Sequence, residues 1–485
     1  MVIGLYTSRI IFRGLGAVDY GLYDVVAGLI TIFLFVSNSL STTTNRYLSF
    51  ELGKGDEGNL KMVFSSSLHI YLRLAIVIFF VSEIIGVILV NKVLNIPSNR
   101  LTACNFVFQM SVFSTILGLL RVPFSALIIA HENMKIYAYT SILDGVFKLL
   151  VAYSLYISSF DKLITYSICH FLVVLTMSLI YLFYCKKKYA GDIYFSRKVP
   201  YRMVKSMLSF TSWGLLGSVA IMLKNYGINF LVNIFFGPTV NAALAIGNMV
   251  NSKVTSFSHN FTVALNPQIT KSYAAGQNED MHKLVERGCR FSFFLLTYLT
   301  FPIIIELPYI LHIWLGDTPE YTFMFVRLVL LLSLVDCFSY SIGCAIQATG
   351  VIRNYQFVIS GLNLLIFPIT FILYAIHCPP FYAIIVSIFI SIVNIVARLY
   401  FMKFLLSFDI VEFVKRVYLR CFAIAAISFP VCVYVHQLQQ YGLMRLIVVT
   451  LTVMLVNSII IYLFGLESTE RQFIVSRIKK KIGNA

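Results

Sequence analysis

Lys224 is followed by Asn225, Asn229 and Asn233, a spacing of four that lines three amides along one face of a helix. A second run sets Asn248, Ser252, Thr255, His259, Thr262 and Asn266 at alternating spacings of three and four, beside Lys253. Such side chains combine fixed positive charge with many hydrogen-bond donors and acceptors. They suit holding an anionic, hydrogen-bonding ligand. The rival reading is packing, since Ser, Thr and Asn commonly bond one helix to another. Ser37, Asn38, Ser41, Thr44 and Asn45 form a similar polar face earlier in the chain. Lys224 and Lys253 have no acidic residue close by in sequence, so they are expected to meet an anionic ligand; snorkelling or a sequence-distant partner is the alternative. Arg9 and Asp24 stand at similar depths on the first two apolar segments and can pair, either as a structural bridge or as a gate, and Asp24 is the residue to test for ion coupling. Arg73, Glu83, Arg121, Glu306, Arg327, Asp336 and Arg398 are read as packing or span ends, and Asp144 with Lys148 as a self-paired couple at i and i+4.

The segments carrying these groups belong in a membrane. Hydrophobic residues make up 59% of the chain, charged residues only 12%, and mean hydropathy is +0.84, outside the range of soluble globular chains. Apolar runs of about 20 residues, enough to cross about 30 Å of hydrocarbon, recur along nearly the whole sequence. Fourteen spans are predicted, near 1–14, 21–45, 64–90, 105–129, 136–158, 162–185, 206–236, 240–266, 290–315, 322–348, 354–376, 381–405, 415–436 and 443–465. The expected fold is an all-α polytopic membrane protein.

Chemistry on bonds has no evident home. The nine cysteines are scattered singly without a CxxC pair, and the eight histidines form no HxxxH or HExxH set, so no metal site is expected. No nucleophile elbow, phosphate-cradling glycine loop or carboxylate pair occurs, and the protein is not expected to be an enzyme.

The chain is internally duplicated. Gly16, Ser37, Asn45 and Gly55 recur 221 positions on as Gly237, Ser258, Asn266 and Gly276, and Ala130, Lys135 and Tyr137 recur 218 positions on as Ala348, Arg353 and Tyr355. Six spans per half keep the repeats parallel, related by an axis along the membrane normal, which is a two-lobed transporter plan. The expected domains are an N-lobe at 1–185, a basic connector at 186–205, a C-lobe at 206–405, two further helices at 406–465 and a basic tail at 466–485. The first helix is short for its repeat partner, which predicts a start lacking its cytoplasmic half.

Lys and Arg gather in alternate loops, including Lys186, Lys187 and Lys188 and the tail from Arg471 to Lys481. This bias places both termini in the cytoplasm. The net charge of +17 is therefore mostly topology, and no nucleic-acid partner is expected.

The run from Leu5 through Arg9, Arg13, Gly14, Gly16, Asp19, Tyr20 and Asp24 to Gly28, and then Asn45-Arg46-Tyr47 to Gly55, resembles the polysaccharide exporters of the multidrug/oligosaccharidyl-lipid/polysaccharide (MOP) superfamily. The likeness covers nearly the whole chain and is nearest to the bacterial O-antigen and capsule repeat-unit flippases. It implies alternating-access movement of an undecaprenyl-pyrophosphate-linked oligosaccharide across the bacterial inner membrane, with Arg9, Lys224 and Lys253 in a cationic lumen. No cofactor is implied. An inside-negative potential favours outward movement of anions by about 2.3 kcal/mol per charge per 100 mV, so membrane potential, H+ or Na+ can drive the step. The lipid-linked oligosaccharide and the bilayer are the implied partners, with polysaccharide assembly enzymes as further ones, and a monomer is the default. The alternatives are a multidrug cation antiporter of the same superfamily, a peptidoglycan lipid-precursor flippase and, from another class, a membrane sugar polymerase or ligase.

Overall fold

The computed structural model describes residues 33–55, 59–94, 96–158, 160–196, 199–316 and 318–472, with individual positions between 7 and 27 and Ser476. Arg9 and Asp24 lie outside the described residues. Among the described residues the chain is helical and contains no strand. Among the described residues eleven helices are long and apolar enough to cross a membrane. The helices group into two compact units, Met1–Ser218 and Val219–Ala485.

The first unit contains α1 (Phe33–Gly53), α2 (Leu60–Val81), α3 (Leu101–Ala130), α4 (Met134–Ile157) and α5 (Lys162–Lys188). Its last residues open α6, a helical run of Tyr201–Ala274. Gly237 interrupts that run at φ +82°, so α6 is two arms, 201–236 and 238–274, matching the seventh and eighth predicted spans. Glycine suits this bend because a left-handed φ is costly for residues with a Cβ. The second unit continues through α7 (Asn278–Ile305), α8 (Leu307–Leu315), α9 (Thr322–Asp336), α10 (Phe338–Ala348), α11 (Arg353–Ala375), α12 (Tyr382–Leu406), α13 (Ile410–Phe413), α14 (Arg420–Leu438) and α15 (Leu443–Ile460).

The duplication is written into the backbone. Gly16 and Gly237 share φ near +80°, and Gly55 and Gly276 share φ of +67° and +73°. Glu132 pays the left-handed cost at φ +59° where its repeat partner is Gly350 at +79°. Helix ends fall in the same register: Gly53 with Ala274 at the first offset, and Ala130 with Ala348, Ile157 with Ala375 and Lys188 with Leu406 at the second. Some predicted boundaries are corrected. α7 begins at Asn278 rather than 290, and the predicted ninth span is two helices that part at Glu306. An apolar run marks only the part of a helix that hydrocarbon requires, and polar turns extend it at no desolvation cost.

In the first unit α3 packs along α5 and α1 along α3. Asp161 caps α5 by accepting from the Leu163 and Ile164 amides at 3.0 and 3.1 Å, and Arg100 pairs with both Asp161 and Asp19. Burial pushes the Asp161 carboxyl upward, but the Ile164 amide, Arg100 and the Leu163 amide outweigh it and hold its pKa below the ordinary value. α1 lies close to the start of α6, where the Ser39 hydroxyl donates to the Thr211 carbonyl at 3.1 Å and the Thr43 and Thr211 hydroxyls bond at 2.9 Å. The connector is pinned by two histidines. His131 bonds the Asp192 carboxylate at 2.9 Å and stacks on Tyr189, while His69 bonds the Ser196 carbonyl at 2.7 Å and stacks on Phe195.

α2 does not stop at Val81 but runs on through two π-helical stretches, Ser82–Gly86 and Leu89–Val93. The first stretch brings Glu83 to the Gln109 amide, 3.1 Å away, and lays Gly86 under the buried Phe108 ring. A Cβ on Gly86 would stand 2.2 Å from Phe108 Cζ. Gly86→Ala is therefore expected to cost about 1–3 kcal/mol, the usual range for an overpacked core. Thermal unfolding in detergent checks it, with Gly118→Ala, where a Cβ meets nothing within 4 Å, as the mild comparison.

The hairpin of α14 and α15, outside the repeat, docks on α7. Apolar residues Cys421, Ile424, Cys432, Val449 and Val453 join Phe293, Phe294 and Phe301 in one core. Buried ion pairs sit at both ends of the contact. Arg290 reaches Glu467 at 3.1 Å and Glu470 at 2.8 Å, and Glu306 accepts from His436 and Arg445 at 2.7 and 3.0 Å. The sequence left open whether this pair of helices docks or faces lipid; it docks on the second unit.

Candidate functional site

Charged groups deep in an apolar helix persist where they find partners or a polar cavity, because each costs about 2.5–3.5 kcal/mol at the centre of a spanning helix. In the second unit one such group is Asp336. This residue ends α9, and the chain passes through Cys337 into α10, so its carboxylate lies at a break between helices rather than mid-helix. The first arm of α6, which carries Lys224, and α12, which carries Arg398, share an apolar core with α9 through Leu231, Val329 and Ile390. Arg398 is fixed by two hydrogen bonds, Nε to the Tyr355 hydroxyl at 3.1 Å and Nη1 to Ser339 Oγ at 2.6 Å. Tyr340, one residue beyond Ser339, meets the His259 ring at a centroid distance of 6.4 Å.

Lys224, Arg398 and Asp336 together carry a formal net charge of +1. Tyr340 and His259 are exposed, while Lys224 and Arg398 are half-buried. One helical turn before Arg398, buried Asn394 donates to Asn363 Oδ1 at 3.4 Å, and its own Oδ1 has no partner among the described residues. Of these groups, the Tyr340 phenol and the His259 imidazole are exposed and can donate to a polar anion, while Tyr355 and Asn394 are buried. None of them is set up as a nucleophile beside a base.

Four sequence-chosen residues, Asn225, Asn233, Asn248 and His259, are exposed; Lys224, Asn229 and Lys253 are half-buried. Of the whole set, His259 meets the Tyr340 ring, and Lys224 lies on the arm of α6 that shares an apolar core with α9 and α12. Asn225, Asn229 and Asn233 form the expected stripe on the first arm of α6, turned away from its apolar face. Lys253 lies on the second arm, and no ion pair among the described residues reaches it.

Asp336 and Arg398 were read from sequence as packing or span ends; Asp336 does end α9, and Arg398 is held by Tyr355 and Ser339. The duplication held a signal for them. Tyr355 is the repeat partner of Tyr137, and each tyrosine stands beside a guanidinium. In the first unit the guanidinium is Arg121, which acts on Tyr137 and lies 5.5 Å above the Tyr181 ring. Arg121 falls in register with Ser339, so the two units supply the same charge from different helices. The predicted couple of Asp144 and Lys148 is present, at 2.7 Å.

This is a multi-pass helical membrane protein. Its fold is that of the MOP-superfamily transporters. A MOP-superfamily transporter from Pyrococcus furiosus Vc1, described as having a binding pocket of reverse polarity that suggests a different function, superposes with a TM-score of 0.67 at 11% identity, covering 84% of this chain and 94% of that one. The outward-facing conformation of a multidrug resistance MATE family transporter gives 0.69 at 12% identity over 85% and 92%. The MATE transporter ClbM in complex with Rb+ gives 0.66 at 14% identity over 84% and 92%. At these identities the likeness speaks for the fold. No family model and no curated protein matches the sequence.

Proposed function

We propose that this protein is a flippase that moves undecaprenyl-pyrophosphate-linked oligosaccharide repeat units across the bacterial inner membrane by alternating access, for O-antigen, capsule or exopolysaccharide assembly. The observation that carries this reading is the excess of cations over acid among Lys224, Arg398 and Asp336. A pyrophosphate head is an anion with many acceptor oxygens, and Lys224 and Arg398 match its charge. The sugars match the exposed amides of Asn225, Asn229 and Asn233. In this reading 1–185 and 206–405 are parallel lobes joined by the connector 186–205, with the helices of 406–465 as an appendage, the tail 466–485 and both termini cytoplasmic, and the protein acting as a monomer. Membrane potential, H+ or Na+ supplies the drive.

A second reading is multidrug cation export, favoured by the likeness to MATE transporters. In that case Asp336 would be the working group. The two readings part in proteoliposomes. The flippase reading expects protein-dependent flipping of a fluorescent undecaprenyl-pyrophosphate oligosaccharide and no uptake of an organic cation dye; dye uptake without flipping would favour the second reading.

A further inference from the structure

We propose that Glu83, on the first π-helical stretch of α2, binds a monovalent cation, H+ or Na+, taken up from the outer side of the membrane. The site lies in the first unit and does not depend on which cargo the protein carries. Glu83 stands seven residues, about 10 Å, inside the apolar span that ends near residue 90. One carboxylate oxygen, Oε2, accepts from the Gln109 amide of α3 at 3.1 Å. The other, Oε1, is buried without a hydrogen-bond partner, and no Lys, Arg or His among the described residues pairs with Glu83. Ser82, the preceding residue, is 5% exposed, and its hydroxyl is likewise buried and unpartnered. Carboxylate, hydroxyl and amide are oxygen groups that suit a hard cation.

A carboxylate at this depth needs a counter-charge, because an ionised group taken out of water is stable only when it is paired. The second unit shows how the fold meets that need. Near the outer end of its corresponding helix stands Glu306, whose register partner in the first unit is Ile85, two residues from Glu83. Glu306 is 0% exposed and is matched by His436 at 2.7 Å and Arg445 at 3.0 Å, both from the α14–α15 hairpin. That hairpin stands outside the repeat, so the duplication gives the first unit no counterpart of it. The cation that the chain supplies to Glu306 must come to Glu83 from the medium.

The seam between α2 and α3 supplies the route. Exposed Asn91 and half-buried Asn105 exchange amide hydrogen bonds, each at 2.9 Å. Glu83 and Asn91 stand at i and i+8 on α2, and Asn105 and Gln109 at i and i+4 on α3, so both polar pairs lie along one contact. The charge bias of the loops puts the Asn91 end of α2 outside. The π-helical turns around Glu83 are an irregularity frequent at functional sites. No other titratable side chain stands at its level on the two helices. The nearest on α2 are Arg73, ten residues before it, and Lys92, nine after; on α3 they are Cys104 and Arg121, five and twelve residues from Gln109. α1, which packs on both helices, carries Arg46 and Glu51 toward its inner end.

The test is thermal unfolding of the full chain in nanodiscs, with Glu83→Gln beside wild type. In one arm NaCl replaces choline chloride at constant ionic strength in mildly alkaline buffer; in the other the buffer is made mildly acidic with choline alone. The site expects wild type to gain about 2 °C or more over Glu83→Gln in one arm, because a ligand that binds only the folded state raises its stability. The variant removes the charge and keeps the shape, so titration elsewhere cancels in the comparison. A gain in the sodium arm identifies Na+, and a gain in the acid arm identifies the proton. Wild type and variant responding alike in both arms would overturn the site. Should the variant not fold, labelling of wild-type Glu83 by a hydrophobic carbodiimide, located by mass spectrometry, decides instead. Protection by Na+ or enhancement by acid supports the site, and labelling indifferent to both, or none, overturns it. These readouts involve no cargo, so the flippase reading is tested separately.

Discussion

Arg290→Met is expected to lower the stability of the protein by about 3–5 kcal/mol, the range for breaking a buried ion pair by removing one partner. Arg290 is 1% exposed and holds Glu467 and Glu470 at 3.1 and 2.8 Å. Its removal leaves Glu470, itself 8% exposed, with the partly exposed Arg287 at 2.9 Å as its remaining cation among the described residues, beside the Glu467 amide. Met fills much of the volume, so the loss reports charge rather than a cavity. Arg287→Met is the comparison, because Arg287 is 37% exposed and Arg290 remains in place. Its expected cost is about 1 kcal/mol or less. Unfolding midpoints in detergent measure both. Equal, small losses from the two variants would show that this cluster does not seat the α14–α15 hairpin, leaving that task to the apolar core around Phe294 and Ile424.

The second large effect concerns transport. Lys224→Ala and Arg398→Gln each remove a charge that would face the anionic head. Charge-assisted hydrogen bonds are worth about 1.5–3 kcal/mol, which corresponds to a loss of about 10- to 150-fold in substrate affinity. Asp336→Asn gives the opposite sign. It raises the charge of the group from +1 to +2, so anion binding is expected to hold or tighten. A cation exporter working through Asp336 would lose binding in the same variant. Isothermal titration with a short-chain polyprenyl pyrophosphate on one side and an organic cation on the other reads the sign directly. Loss of pyrophosphate binding in Asp336→Asn with retained folding would count against the anionic assignment.

The fold was legible because hydrocarbon thickness imposes a length on every spanning helix, and only hydrocarbon-compatible residues can fill it. The bend at Gly237 and the turn at Gly276 were likewise visible, since their repeat partners Gly16 and Gly55 occupy the same left-handed conformation. Helix ends such as Asn278 were less visible, because polar turns beyond the membrane carry no hydropathy signal. The site was half legible. Lys224 and His259 stood out as polar groups in apolar runs. Asp336 and Arg398 lie far from Lys224 in the chain, and only packing of α6, α9 and α12 in one core links the helices that carry them. Their role was hidden also by the way the duplication diverged: Arg121 sits where the second unit has Ser339, while that unit's arginine comes from α12. The docking of the α14–α15 hairpin was invisible for a related reason. Glu306, His436 and Arg445 look like isolated polar residues in sequence, and they are one buried cluster in space.

The most direct measurement of the central claim is the rate at which purified protein in proteoliposomes flips a fluorescent undecaprenyl-pyrophosphate oligosaccharide under an imposed potential, with and without Lys224→Ala. For a substrate of charge about −2, each 100 mV of favourable potential contributes about 4.6 kcal/mol to the equilibrium. The account predicts protein-dependent flipping that is biased by the sign of the potential and is lost in a folded Lys224→Ala variant. Flipping that is indifferent to Lys224, or its absence from intact protein that transports an organic cation instead, would contradict it.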